Sequence, residues 1–302
     1  QAGSSELVRL LAHVNGWWRD TAQRLLVERG DFSVVPELRK RAASKSDLWA
    51  QLHALWTLEG LAKLDKETLS AALGSSHPKI RAAAIRLSEP LLHTSAQREL
   101  LPQLLGLVDY LNPDIQLQLA FTLGEIKDAA TETALAKVLQ RNADNLHIRD
   151  AVITGLGGRE LEFLQALLRD DSWKHKAAGF DGALSALAQC IFREGKPDRI
   201  NQLLELAAKE ASDAAWQQTA LLDGILHTAP RATRGQPSPR IKPLPMPAEP
   251  PALAALQQTR NEEIRTRLER ILELIAWPGQ VGKATAEAVK AYRVAPNEAP
   301  ML

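Results

Sequence analysis

A single cysteine, Cys190, stands among the 302 residues. An internal disulfide, a Cys-rich zinc site and a covalent Cys-x-x-Cys-His haem attachment are therefore excluded within them. Cys190 falls in the apolar run Ala186-Leu187-Ala188-Gln189-Cys190-Ile191-Phe192, which predicts a small buried hydrophobe rather than a reactive thiol. Neither sign of charge is in excess: 37 Lys and Arg against 36 Asp and Glu leave a formal +1. Proteins that grip nucleic acid through many phosphates carry a clear basic surplus, so that class is disfavoured. No apolar run approaches the ~20 residues of a membrane-crossing helix. The opening Gln1-Ala2-Gly3-Ser4-Ser5 does not have the basic-then-apolar form of a secretion leader. Period-two alternation is nearly absent, so strands are not expected to dominate.

Leu and Ala, both good helix formers, recur in self-similar segments. Copies run from Trp18 to Leu25, Gln51 to Leu58, Ile80 to Leu87, Gln116 to Leu123 and Ile148 to Leu156. Their closing leucines are 33, 29, 36 and 33 residues apart. Weaker copies follow near 183–187, 220–225 and 264–271. A period of this size fits a helix–turn–helix unit stacked on its neighbours, because each unit can bury its apolar face only against the next. His77-Pro78 and Asn112-Pro113 precede two copies and suit helix starts. The small residues Ala22, Ala54, Ala84 and Ala120 admit close helix approach, and Gly60, Gly124, Gly157 and Gly158 suit helix ends. The string Pro78-Lys79-Ile80-Arg81-Ala82-Ala83-Ala84 has the form of the second helix of a HEAT repeat. The expected fold is an all-α solenoid of HEAT-like, armadillo-like helical repeats (an α-α superhelix) over 1–229.

The stretch 230–251 holds eight of the 17 prolines, with Arg231, Arg234, Arg240 and Lys242 interleaved. Proline forbids a continuous helix, so an extended linker or a loop wrapped on the surface is expected. A C-terminal helical cap is expected over 252–293, with a charged amphipathic helix or pair at 252–276, a stop at Trp277-Pro278-Gly279 and one more short helix at 284–292. Residues 294–302 read as a frayed tail.

Catalytic patterns are scarce. The seven histidines show no His-Glu-x-x-His spacing and no close trio with carboxylates. His77 and His147 read as turn residues before repeat helices. His53 reads as a satisfied, partly buried histidine beside Trp56. Gly155-Leu156-Gly157-Gly158 has no strand before it and reads as a helix end, not a phosphate loop. Asp170-Asp171 are adjacent in sequence and make a poor acid–base pair. Lys174-His175-Lys176 reads as a solvated turn. The most unusual string is Trp17-Trp18-Arg19-Asp20. It reads as inter-repeat packing, with a binding site for a partner or a cofactor edge as the alternative. Arg19 is placed to stack on an indole or to pair with a carboxylate of the next repeat. The residues singled out for interaction or packing are thus Trp17, Trp18, Arg19, Asp20, His53 and Trp56; none is assigned to catalysis, to a cofactor or to a metal.

Asn15-Gly16-Trp17-Trp18-Arg19-Asp20-Thr21-Ala22-Gln23-Arg24-Leu25-Leu26 resembles the opening of the HEAT-repeat region of large bacterial membrane-bound dehydrogenases. Leu52-His53-Ala54-Leu55-Trp56-Thr57-Leu58-Glu59-Gly60-Leu61 and Arg81–Pro90 are similar to that region too. In that family a sorbosone/glucose-dehydrogenase-like propeller precedes the HEAT region, and a cytochrome c domain with Cys-x-x-Cys-His follows it. Trp277-Pro278-Gly279 resembles the junction before the cytochrome. The resemblance covers Val14 to Pro90 well and the rest as repeat pattern only. It implies a non-catalytic middle domain of a periplasmic or cell-envelope protein. Its partners would be the propeller and cytochrome c of the same parent chain, and haem c would sit in the downstream domain and none here. No catalytic or haem-ligating residue carries over, because no position matches one. A stand-alone adaptor that binds a peptide or protein is the rival reading. A HEAT-like DNA glycosylase is a remote one, disfavoured by the near-zero charge.

Overall fold

Sixteen α-helices account for almost all regular structure in the computed structural model, which describes residues 2–209, 215–229 and 242–280. The chain divides into two compact units, Gln1–Gly155 and Leu156–Leu302.

The first unit holds α1 (Ser4–Leu10), α2 (Gly16–Arg29), α3 (Val35–Ala42), α4 (Leu48–Gly60), α5 (Lys66–Leu73), α6 (Pro78–Ser88), α7 (Gln97–Leu105), α8 (Pro113–Gly124), α9 (Ala129–Arg141) and all but the last residue of α10 (Leu146–Leu156). Each odd helix up to α5 packs on the even helix that follows it. The even helices α2, α4, α6 and α8 pack on one another in chain order, and α1, α3, α5 and α7 form the second layer. The result is a stack of α–α hairpins, the all-α solenoid arrangement that the repeat spacing implies.

Starts of the even helices are fixed by short polar caps that satisfy free N–H groups. Asn15 accepts from Trp17 N, Asp47 from Trp49 and Ala50 N, His77 from Lys79 N, and Asn112 from Asp114 and Ile115 N. Pro78 and Pro113 stand at first positions, where no donor is needed. His147, expected in a turn, lies inside the first turn of α10; the cap there is Asn145, which accepts from His147 and Ile148 N. Ala22, Ala54, Ala84 and Ala120 are buried at the layer contacts. Gly124 and Gly155 mark a closer crossing of α8 and α10, where a Cβ on Gly124 would lie 2.6 Å from Gly155 Cα.

The second unit repeats the scheme with α11 (Glu160–Arg169), α12 (Phe180–Arg193), α13 (Pro197–Lys209), α14 (Ala215–Leu226), α15 (Ala252–Gln257) and α16 (Glu262–Leu272). The even helices α12, α14 and α16 pack in series, as do α11, α13 and α15. Gly224 lets α14 close on α12; a Cβ there would lie 2.7 Å from Ala188 Cβ. Trp173 is buried and stacks on Phe180, ring centres 4.0 Å apart, while Lys174, His175 and Lys176 beside it are exposed. Cys190 is half-buried rather than buried, because its helix turns that side partly to solvent. The pair of helices expected within 252–276 is α15 and α16, which end at Leu272.

One element was not expected. Leu244–Pro245 (β1) pairs in parallel with Ile275–Ala276 (β2). The donors are Leu244 N and Met246 N, to Leu274 O and Ala276 O at 2.8 and 2.7 Å, so Pro245, which has no N–H, interrupts nothing. Met246 is buried. The end of the proline-rich stretch is therefore pinned to the fold, while 230–241 lies outside the described residues. The helix expected at 284–292 and the tail at 294–302 lie outside them as well.

Candidate functional site

The six residues singled out in sequence all fall on α2 and α4, but they do three different jobs. Arg19 is a clamp. Its Nη1 donates to the carbonyls of His13 and Val14, at 2.7 and 3.0 Å, and so ties down the turn that leads into α2. Its Nε donates to His53 Nε2 at 3.3 Å, and its guanidinium lies 4.8 Å from the centre of the Trp49 ring. The stacking foreseen for Arg19 is found, on an indole of the next repeat.

His53 completes the link. Since Nε2 accepts from Arg19, Nδ1 carries the proton and donates to Gln23 Oε1 at 2.7 Å. Burial, with Arg19 adding to it and Asp20 opposing it, holds the imidazole below its ordinary value of 6.5. The neutral ring is the form that fits this chain of bonds. His53 is thus a satisfied, partly buried histidine, as its sequence context implies.

Trp17 and Trp18 overturn their packing expectation. Trp17 is 64% exposed and Trp18 44%. The two rings meet edge to face, with centres 5.2 Å apart, and Trp18 lies 5.7 Å from the His13 ring. The buried face of α2 is built further along, from Ala22 and Leu26. Both tryptophans sit in the first turn after the Asn15 cap, where side chains lean back past the N-terminal end of the helix and beyond the packed layer. Trp49, at the equivalent place in α4, is 44% exposed, and Val14 in the preceding turn 94%. Val14, Trp17, Trp18 and Trp49 form an apolar edge held in place by Arg19. Tyr110, Leu111 and Leu146 are exposed at the same turn in later repeats.

Asp20 and Trp56 belong to a third feature, a cleft of about 370 Å³ between the outward faces of α2 and α4. Val27 and Gly60 contribute to its floor, and Glu28, Glu59 and Arg24 stand around it.

Sequence reasoning missed one device. The fourth residues of α2, α4, α6, α8 and α10 are Arg19, Gln51, Arg81, Gln116 and Arg149. Gln51 Nε2 donates to Ala42 O at 2.9 Å, and Gln116 Nε2 to Val108 O and Tyr110 O at 3.0 and 2.9 Å. The Arg81 guanidinium lies 4.4 Å from the Tyr110 ring centre, as Arg19 lies over Trp49. The two glutamines therefore clamp the turn of their own repeat, Arg19 and Arg81 reach an aromatic of the next, and Arg149 instead donates to Asp150 at 3.1 Å. The register was visible in the aligned segments, but the clamping role needed the turn carbonyls in place.

Among the described residues no group of three or more His, Cys, Asp and Glu side chains gathers where a metal ion could be held, and no helix is long and apolar enough to cross a membrane. No protein-family model and no curated protein matches the chain. Among solved structures, an engineered protein is similar over 90% of this chain and 78% of its own length, at 17% identity and a TM-score of 0.32. A chain from work described as "A conserved phosphorylation switch controls the interaction between cadherin and beta-catenin in vitro and in vivo" aligns with 96% of this chain over 64% of its length, at 16% identity and 0.37. A designed armadillo repeat protein aligns over 91% and 100%, at 14% identity and 0.25. Likeness at this level bears on neither partner nor activity.

Proposed function

We propose that this chain is a non-catalytic helical-repeat scaffold that docks a protein partner on the edge formed by Val14, Trp17, Trp18 and Trp49. The observation that carries the reading is the exposure of three tryptophans on turns that are rigidly held. Exposed apolar patches of this kind mark interaction surfaces, and tryptophan is enriched among residues that dominate binding energy. Arg19, bonded to the carbonyls of the turn and stacked on Trp49, fixes the edge before any partner arrives. Pre-organisation of that kind lowers the ordering cost of binding.

The finer reading rests on the resemblance of Val14–Pro90 to the dehydrogenase-associated HEAT region. On it, the chain joins a periplasmic dehydrogenase propeller to a cytochrome c domain and holds the two redox modules in fixed geometry. The stand-alone adaptor is the alternative, favoured by the same exposed edge without any need for a parent chain.

The test places a photo-crosslinking residue at Trp17 in the protein expressed in its source cells, with Lys127 as a remote exposed control. Cross-linked products are then isolated, stained for covalent haem and identified by mass spectrometry. Cross-links confined to Trp17 support the docking edge. Equal yields at Trp17 and Lys127 overturn it. A haem-positive species containing this chain, far above 33.1 kDa without cross-linking, supports the spacer, and a haem-negative one at that size overturns it.

A further inference from the structure

Two clefts in the molecule are built from the same ingredients but differ in charge closure. In the second unit, a cleft of about 350 Å³ holds Trp216, Asp181, Asp223 and Glu263. Its carboxylates are met by the chain's own cations. Lys176 Nζ lies 3.1 Å from Asp181, and Arg267 lies 2.7 Å from Asp223 and 3.7 Å from Glu263. In the first unit, the cleft between α2 and α4 holds Trp56 with Asp20, Glu28 and Glu59. Among the described residues that line it the only cation is Arg24, 3.9 Å from Glu28 and largely exposed. Asp20 and Glu59 make no ion pair among the described residues. The floor is apolar, with the Val27 methyls packed where a Cβ on Gly60 would otherwise stand.

We propose that the α2–α4 cleft receives a lysine or arginine side chain from an extended segment of a partner protein. The alkyl stem lies on Val27 and the Trp56 ring, and the charge sits between Asp20 and Glu59, in the role that Arg267 plays inside the second unit. A long basic side chain suits a site with an apolar floor and a charged rim, because its stem and its head want different surroundings. A cation over an indole gains a further contribution. The surplus negative charge repels nucleic acid and acidic peptides, which sets the class of partner. This deepens the protein-binding reading, but it uses a different surface from the tryptophan edge.

The experiment titrates the full chain into a fluorescein-labelled acetyl-Gly-Arg-Gly-Arg-Gly-Arg-Gly-amide peptide and follows anisotropy at low salt. The Asp20→Asn/Glu59→Gln pair keeps the shape of the cleft and is expected to weaken binding at least tenfold. Trp56→Leu keeps the apolar volume and is expected to weaken it several-fold. Glu67→Gln/Asp144→Asn removes the same charge from remote exposed positions and is expected to change affinity less than twofold. Equal losses in the cleft pair and the remote pair would show diffuse attraction and overturn the assignment. No loss in either cleft variant would overturn it as well. Thermal midpoints within 2 °C of the parent show that the charge variants remain folded. Loss of cross-linking at Trp17 with peptide binding intact would sink the edge and leave the cleft standing; the reverse result would sink the cleft alone.

Discussion

Gln116→Ala puts the turn clamp to a quantitative test. Gln116 is 1% exposed, and its amide nitrogen donates two good hydrogen bonds, to Val108 O and Tyr110 O. Removing it orphans neither carbonyl, since Val108 O also accepts from Arg141 Nη1 at 2.8 Å and Tyr110 O from Asn112 N at 2.8 Å. The penalty of an unsatisfied buried group therefore does not apply. What is lost is the net worth of those two hydrogen bonds, about 1 kcal/mol each, and a weaker third that Oε1 accepts from Asn142 Nδ2 at 3.3 Å, a donor that keeps Val138 O at 2.8 Å. A partly collapsed cavity in a layer of close-packed side chains adds on the order of 1–2 kcal/mol. The total, about 3–4 kcal/mol, corresponds to a midpoint lower by roughly 6–16 °C for a cooperative unit of this size. Gln116→Leu fills the volume without donors and should cost only the hydrogen-bond share, about 2 kcal/mol. Circular dichroism during thermal unfolding measures both. A Gln116→Ala midpoint within 2 °C of the parent would refute the clamp, and a leucine variant less stable than the alanine variant would refute the division into bonds and cavity.

Two further outcomes follow from the α2–α4 contact. The His53 imidazole is held below its ordinary 6.5, so the unfolded chain takes up a proton there before the folded chain does. Its contribution is whole above pH 6.5 and shrinks as the pH falls below that value; the midpoint should decline as the pH is lowered from 6.5, and His53→Gln should flatten that decline. An unchanged slope in the variant would mean that the Arg19–His53–Gln23 chain does not couple to folding. Trp17→Ala removes a ring that is 64% exposed, so the midpoint should move by less than about 3 °C, as for surface substitutions away from special features; a drop of 8 °C or more would show that the ring is packed in solution.

The two tryptophan strings show why the architecture was legible in the sequence and the site only half so. Repeat spacing reports which faces are apolar, and Ala22, Ala54, Ala84 and Ala120 duly sit in the layer contacts. Burial of a given residue depends also on where its helix begins. Trp18 lies four residues before Ala22, so the helical period alone places it on the packed face. Asn15, however, caps α2 at Gly16, which leaves Trp18 in a first turn that overhangs the layer. Trp56, well inside α4 and half-buried, borders Asp20 and Glu59 across a cleft that no local pattern encodes. The same limit explains β1, whose partner is thirty-one residues away and whose register is two residues long. The fourth-position series is the middle case. Arg19, Gln51, Arg81, Gln116 and Arg149 share a register in sequence, yet Arg and Gln there act on different targets. The glutamine amide nitrogens donate to carbonyls of their own turn, while the longer guanidinium of Arg81 spans to an aromatic of the next repeat, and that of Arg19 does so while also bonding its own turn. That difference in reach is what couples successive repeats at Arg19 and Arg81. It also makes the exposed edge at Trp49 depend on a residue of the preceding repeat.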